Sequence, residues 1–350
     1  MKKVFVGLSG GVDSAVSAAL LKERGYDVTG VFIKIWQPEF IECSWREDRL
    51  DAMRVAVALG VPFREIDLSE EYKRGIVEKM IAGYARGITP NPDVLCNKAI
   101  KFGSFLSYAL SEGADYIATG HYARVRQRNG AFELLRGIDR AKDQSYFLYM
   151  LGQAELSKTL FPLGDITKKE TRHLAQQFDL PVANKRDSQG LCFVGEVTIP
   201  EFLSRFLPPS EGVVFDMAGE RIGTHEGAAF LTIGQRHGFR ISMPGHGKPH
   251  YVVSVDTTNN SITVSERRED AAKTDCDIED THFIGNSIPM PFDASAQVRY
   301  HGEEMPVVIE SSDGTVRARF TAPIILSPGQ SLVLYREDVC IGGGIIESLQ

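Results

Sequence analysis

The sequence predicts an α/β protein, with an N-terminal domain of parallel strands wrapped by helices, a small central β-rich domain and a C-terminal antiparallel β-barrel. Three observations lead there. Apolar runs and helical spacings alternate as far as Pro208-Pro209, glycine-punctuated short apolar runs follow, and 350 residues exceed one typical domain. The boundaries are placed at 1–207, 208–273 and 274–350.

The elements follow in order. Val4 to Leu8 reads as a strand that runs into the turn Ser9-Gly10-Gly11-Val12-Asp13-Ser14, and a helix opens near Ser14 and stops at Gly25. Val28 to Ile33 is a second strand, Arg46 to Leu59 a helix closed by Gly60, and Phe63 to Ile66 a short strand. Ser69 caps a helix through Tyr84, Phe102 to Ser111 is another helix, and Tyr116 to Thr119 is a strand ending at Gly120-His121. Thr167-Lys168-Lys169-Glu170 has capping-box spacing and starts a helix to about Phe178; Ile199 to Phe206 is the last helix of the domain. In such an alternation ligands sit at the carboxyl ends of the strands, where the glycine turn, Ile33 and Gly120 fall. Val213 to Phe215, Tyr251 to Asp256 and Ile262 to Ser265, with a turn at Asn259-Asn260, make the central strands. Ala296 to Tyr300, Thr315 to Phe320 and Ser331 to Tyr335 make the barrel.

Composition limits the function. A content of 43% hydrophobic and 24% charged residues is ordinary for a soluble protein, and no apolar stretch reaches membrane-spanning length. With no presequence pattern at the start, the expectation is a cytoplasmic protein without a membrane partner. Five scattered cysteines make neither a disulfide framework nor a zinc motif. A net charge of −7 argues against nonspecific coating of nucleic acid. Local basic faces remain open at Lys98 and Lys101, at Arg124, Arg126 and Arg128, at Lys168, Lys169 and Arg172, and at Lys185 and Arg186, each of which alone reads as a solvated surface.

The glycine turn carries the first chemistry. Its backbone N–H groups and the positive helix end suit an anion, the glycines allow close approach, and the Ser9 and Ser14 hydroxyls donate to phosphate oxygens. Asp13 beside an anion makes sense as a magnesium ligand. No lysine follows in Walker A position, and Gly7, Gly10 and Gly11 lack the dinucleotide spacing. The hexapeptide resembles the PP-loop of the ATP pyrophosphatases, a group with an adenine nucleotide alpha hydrolase-like fold, which cleave ATP between its α and β phosphates.

Two cysteine segments carry the second chemistry. Pro90 and Pro92 stiffen a loop presenting Asp93 and Cys96 ahead of a helix with Lys98 and Lys101, and Cys192 follows a glycine in the polar loop Arg186 to Phe193. Cys43, Cys276 and Cys340 read as small buried hydrophobes.

Taken in order, Ser9 to Ser14, Asn91-Pro92-Asp93 with Cys96-Asn97-Lys98, Thr119-Gly120-His121-Tyr122, Lys142-Asp143-Gln144-Ser145, Asp187-Ser188 to Cys192-Phe193, Thr232 to Arg236 and Cys340 to Gly344 resemble the motifs of bacterial tRNA-specific 2-thiouridylases over nearly the whole chain. That resemblance implies a tRNA-uridine 2-sulfurtransferase. It would adenylate the C2 oxygen of the wobble uridine, position 34, of tRNAs for lysine, glutamate and glutamine, then deliver sulfur from a cysteine persulfide. It places ATP on Gly7, Leu8, Ser9, Gly10, Gly11, Val12, Asp13, Ser14, the backbone of Ile33, and Gly120. It places the base on Asn91, Pro92 and Asp93, and other tRNA contacts on His121, Lys142, Asp143, Gln144, Arg299, Tyr300 and Gln330. Cys192 would carry the persulfide, and Cys96 would act as nucleophile and close a disulfide with it. ATP and magnesium are the implied cofactors; a cysteine desulfurase or a relay protein is the implied sulfur donor. Asp93 is a candidate for proton transfer, with loop capping as the simpler reading. Other readings stay open: an amide-forming synthetase sharing the first motif, a noncatalytic RNA-binding protein regulated by ATP, and a redox sensor using Cys96 and Cys192.

Overall fold

Continuous apolar runs bury both faces of a parallel sheet, and the first strand shows this most clearly. In a computed structural model, which describes residues 1–40, 45–187, 197–242, 248–285 and 288–347, Val4, Phe5 and Val6 are wholly buried. Val4 and Val6 pack under the helix Val12–Glu23 through Ala15, Val16 and Ala19, while Phe5 packs with Val31, Phe102, Phe105 and Ile117 on the other face. Each buried side chain of this size contributes about 1.5–3 kcal/mol.

The strands are β1 (Lys3–Gly7), β2 (Asp27–Lys34), β3 (Phe63–Asp67), β4 (Tyr116–Ala118), the hairpin β5 (Ala123–Arg128) and β6 (Ala131–Arg136), and β7 (Thr159–Leu160). Five of them form a sheet in the order β3-β2-β1-β4-β7, with every pairing parallel. Strand order reverses at β1, whose neighbours β2 and β4 lie on opposite sides of it. The crevice above the carboxyl ends of β1 and β4 is therefore the place for a ligand.

Two long helical runs flank this crevice. Ser69–Tyr72, Lys73–Val77 and Glu78–Ala85 are continuous, as are Pro92–Cys96, Asn97–Ser104 and Phe105–Ser111, and the middle piece of each is π-helical. The sequence reading began the second run at Phe102 and left Asp93 and Cys96 in a loop. The structure begins it at Pro92, because Asn91 Oδ1 accepts from the Val94 N–H at 3.3 Å and proline takes the first helical position, where no N–H is needed. At Thr167 the expected capping box is present, with Thr167 N–H donating to Glu170 at 2.7 Å and Glu170 N–H to Thr167 Oγ1 at 3.2 Å.

The central strands β8 (Gly212–Phe215), β9 (Arg221–His225), β10 (Phe239–Ile241), β11 (Tyr251–Asp256) and β12 (Ser261–Ser265) form a mixed sheet ordered β10-β9-β8-β12-β11. Beyond it, β13 (Ala272–Phe283), β14 (Phe292–Gln297), β15 (Met305–Ser312), β16 (Thr315–Ile325), β17 (Ser331–Arg336) and β18 (Val339–Ile346) form an antiparallel barrel closed by pairing of β13 with β18. Closure explains the run Gly342-Gly343-Gly344: a Cβ on Gly342 would stand 2.1 Å from the His282 carbonyl oxygen, and Gly342 has φ +131°.

One feature runs across these layers. The β5–β6 hairpin, from the N-terminal part of the chain, adds to the barrel sheet through β18, with Val339 opposite Leu135 and Cys340 opposite Leu134. Nothing in its sequence distinguishes it from a local hairpin. A buried ion pair reinforces the junction. Arg136, 4% exposed, lies 3.3 Å from Asp143 and 2.7 Å from Glu304, with its guanidinium 3.4 Å from the centre of the Tyr335 ring. Among the described residues no helix is long and apolar enough to cross a membrane.

Candidate active site

The turn after β1 is shaped by close packing. Gly10 has φ +76°, and a Cβ there would stand 2.3 Å from the Asp48 carbonyl oxygen. Gly120, at the end of β4, would place a Cβ 2.8 Å from Ser14 N and 2.9 Å from Asp13 C, so only glycine lets β4 end against the helix start. The Ser9 and Ser14 hydroxyls lie 3.2 Å apart, and Ser14 Oγ donates to the Gly11 carbonyl at 3.1 Å. Backbone donors, two hydroxyls and a helix N-terminus thus converge at the crevice, the arrangement a polyphosphate requires.

Asp13 is held by other partners than a metal ion. Its Oδ1 accepts from Lys168 Nζ at 2.6 Å and from the Tyr122 hydroxyl at 3.0 Å. Burial, and then the Asp13 charge, push the Tyr122 hydroxyl far above its ordinary range, so it stays a donor. Among the described residues no three His, Cys, Asp or Glu side chains stand together as a metal site. This donor set does not fit a resident divalent ion.

Lys168 also reaches Asp187 at 2.9 Å, where Lys142, at 3.2 Å, and Arg172 join it. Burial raises Asp187, yet hydrogen bonds from Lys168 and Lys142 outweigh it and bring the carboxyl down to about 2. The sequence reading treated these cations as surface clusters. Most are paired at or near the surface: Lys98 pairs with Glu155, Lys185 with Asp48 and Asp51, Arg124 with Asp338, and Arg126 with Glu133.

Asp93 and Cys96 sit three residues apart in the first turns of their helix, on neighbouring positions of one side. Burial raises the Asp93 carboxyl above its ordinary value, and Lys101 only partly offsets this. Cys96 is 7% exposed, in an apolar cluster with Ile76, Met80, Ile100, Phe202 and Leu203, against which Ile33 also packs. Asn97, next in the helix, donates from Nδ2 to the Phe147 carbonyl at 3.2 Å, and its buried Oδ1 has no hydrogen-bond partner. Cys192 lies outside the described residues, as do Cys43 and all of 188–196. Both flanks of that segment are described: Asp187 belongs to the charge cluster at Asp13, and Val197 packs against the apolar cluster of Cys96.

The residues expected to contact tRNA have defined surroundings. His121 is 7% exposed, pairs with Thr119 Oγ1 at 2.7 Å, and packs between Phe102 and Phe161; burial, then Lys101, hold it well below its ordinary pKa and hence neutral. Asp143, 6% exposed, accepts from the Gly137 and Ser145 N–H groups and from the Ser145 hydroxyl. Gln144 braces Tyr122, accepting from its N–H at 3.0 Å, and Gln330 donates to the Thr89 carbonyl at 2.7 Å, steadying the chain just before Asn91. Arg299 and Tyr300 were expected on a strand. They lie beyond the end of β14 in a turn, with Arg299 exposed and Tyr300 stacked 4.3 Å from Phe147. Burial, then the charges of Asp143 and Asp93, raise the Tyr300 hydroxyl to about 12.

Family comparisons agree with this geometry. A family model described as a tRNA methyl transferase HUP domain matches residues 2–196, one described as a tRNA methyl transferase PRC-barrel domain matches 200–266, and one described as an aminomethyltransferase beta-barrel domain matches 273–346. The tRNA-specific 2-thiouridylase MnmA of Staphylococcus saprophyticus is 44% identical over 99% of this chain and 95% of its own. The chain belongs to the tRNA-specific 2-thiouridylase family. Relatives of the same name from Paraburkholderia phytofirmans and Geobacillus kaustophilus are each 45% identical over 99% of this chain, covering 94% and 96% of theirs. The family fold thus comprises the parallel sheet with its glycine turn, the central domain and the closed barrel.

Proposed function

We propose that this chain is the family's ATP-dependent tRNA-uridine 2-sulfurtransferase, and that its chemistry runs in the crevice above β1 and β4. The observation that carries the reading is the pair of anchors around Cys192. Asp187 is bound to the glycine turn through Lys168, and Val197 packs against the apolar cluster that holds Cys96, so the described residues on either side of Cys192 stand at the turn and at that cluster.

The steps follow from the groups present. A uracil C2 oxygen is a poor leaving group; attack of that oxygen on the α phosphorus of ATP breaks the α–β bond, releases pyrophosphate and leaves AMP on the base. The loop amides and the Ser9 and Ser14 hydroxyls hold the phosphates, which supplies positioning and charge stabilisation. Magnesium brought in with ATP would supply neutralisation of phosphate charge; in this structure Asp13 is held by Lys168 and Tyr122. Asp93, raised by burial, is the group that holds or moves the uridine proton. The Cys96 thiolate attacks the inner sulfur of the Cys192 persulfide, forming the Cys96–Cys192 disulfide and expelling hydrosulfide. Hydrosulfide adds at C2, AMP departs, and an external thiol reductant restores both cysteines. A persulfide-bearing donor protein of the cysteine desulfurase or relay class reloads Cys192. The substrates are the lysine, glutamate and glutamine tRNAs, modified in the cytoplasm; the wobble base, unpaired in its loop, is drawn out without opening a duplex.

Incubation with unmodified glutamate tRNA, ATP, magnesium and a persulfide source should give 2-thiouridine by nucleoside mass analysis. Methylated uridine in its place, or thiolation without pyrophosphate release, would refute the reading.

A further inference from the structure

The charge cluster at Lys168 is larger than holding Asp13 requires. One ammonium, 14% exposed, is shared between the carboxylate of the glycine turn at 2.6 Å and Asp187 at 2.9 Å. Its backbone is fixed independently, because its N–H donates to Asp139 at 2.9 Å and it occupies the first position of a capped helix. Neither carboxylate depends on it alone: Asp13 keeps the Tyr122 hydroxyl, and Asp187 keeps Lys142 and Arg172. Lys168 is thus a cation on a rigid base beside a phosphate site, held by two replaceable anions.

Resting on the function proposed above, we propose that Lys168 is a phosphate-binding residue of the ATP step, and that Asp187 is a positioning residue that competes with the nucleotide for it. The β and γ phosphates of ATP bring several anionic oxygens to the turn, so the ammonium shifts its bonds toward them when ATP binds. Asp187 then rests on Lys142 and Arg172 alone. Nucleotide occupancy is thereby felt at the residue that begins the Cys192 segment, which links the adenylation step to the sulfur step. The sequence held only the capping box here; the ion pairs needed the fold.

The test measures equilibrium binding of ATP and of AMP by calorimetry, with no tRNA present, so its outcome is separate from whether the chain thiolates tRNA. Lys168→Met should weaken ATP at least about tenfold and leave AMP within about twofold, since AMP lacks the outer phosphates. Lys168→Arg should restore ATP binding to within about threefold. Asp187→Asn, which removes the competitor, should leave ATP binding unchanged or tighten it. A merely structural lysine predicts otherwise: unchanged ATP affinity in Lys168→Met, or equal losses for ATP and AMP, would overturn the proposal. So would Asp187→Asn weakening ATP as much as Lys168→Met.

Discussion

Gly120→Ala is the sharpest probe of how the crevice is built. The added Cβ would stand 2.8 Å from Ser14 N, 2.9 Å from Asp13 C and 3.0 Å from Asp13 Cβ, and two of these three atoms are backbone. Ordinary contact begins at about 3.4 Å, so the end of β4 and the helix start must part by about 0.6 Å. Gly120 carries no positive φ, so the whole effect is steric. Overpacking of this kind costs about 1–3 kcal/mol, and a displacement approaching 1 Å at a positioning loop costs about 10²-fold in rate. The expected result is a kcat/KM for ATP lower by about 10²-fold in tRNA-dependent pyrophosphate release, with a lowered urea midpoint. Gly75→Ala is the control, because a Cβ there meets nothing within 4 Å. A Gly120→Ala protein with unaltered stability and ATP kinetics would refute the packing account of the site.

Three further outcomes are expected. Cys96→Ser and Cys192→Ser should each lower 2-thiouridine formation by at least about 10³-fold while tRNA-dependent pyrophosphate release persists, since adenylation uses neither thiol. Arg136→Met should cost about 3–5 kcal/mol in urea unfolding, because it strands the buried Asp143 carboxylate, with a smaller loss in the double variant Arg136→Met, Asp143→Leu. His121, held below its ordinary value of 6.5 by burial, binds its proton more readily when unfolded. Stability should therefore fall as pH drops below 6.5, by up to about 1.4 kcal/mol per unit, and His121→Gln should flatten that slope in urea midpoints measured against pH.

Much of this molecule is legible in its sequence, for identifiable reasons. β1 and the glycine turn are local features: an apolar run buried on both faces and a backbone conformation that needs glycine declare themselves in a few residues. The capping box at Thr167 is equally local, and so are the turns of the central strands. Asn91-Pro92 is itself a local signal: an asparagine N-cap with proline at the first helical position is a helix start, and it puts Asp93 and Cys96 on one side of a helix. Long-range pairings were not legible. The addition of β5–β6 to the barrel, the Arg136–Asp143 pair and the Lys168 bridge join residues far apart in the chain. For the same reason the burial of His121 and Asp143, polar residues in recognisable motifs, is visible only in the fold.

The meeting of Cys96 with Cys192 during turnover is the point on which the mechanism stands. Peptide mass spectrometry after a single turnover with Cys192 preloaded as persulfide measures it directly. The account predicts a Cys96–Cys192 linked peptide that appears in step with 2-thiouridine and only when both ATP and tRNA are present. Full thiolation in one turnover without that linkage, or with Cys96 still alkylatable in every molecule, would contradict it.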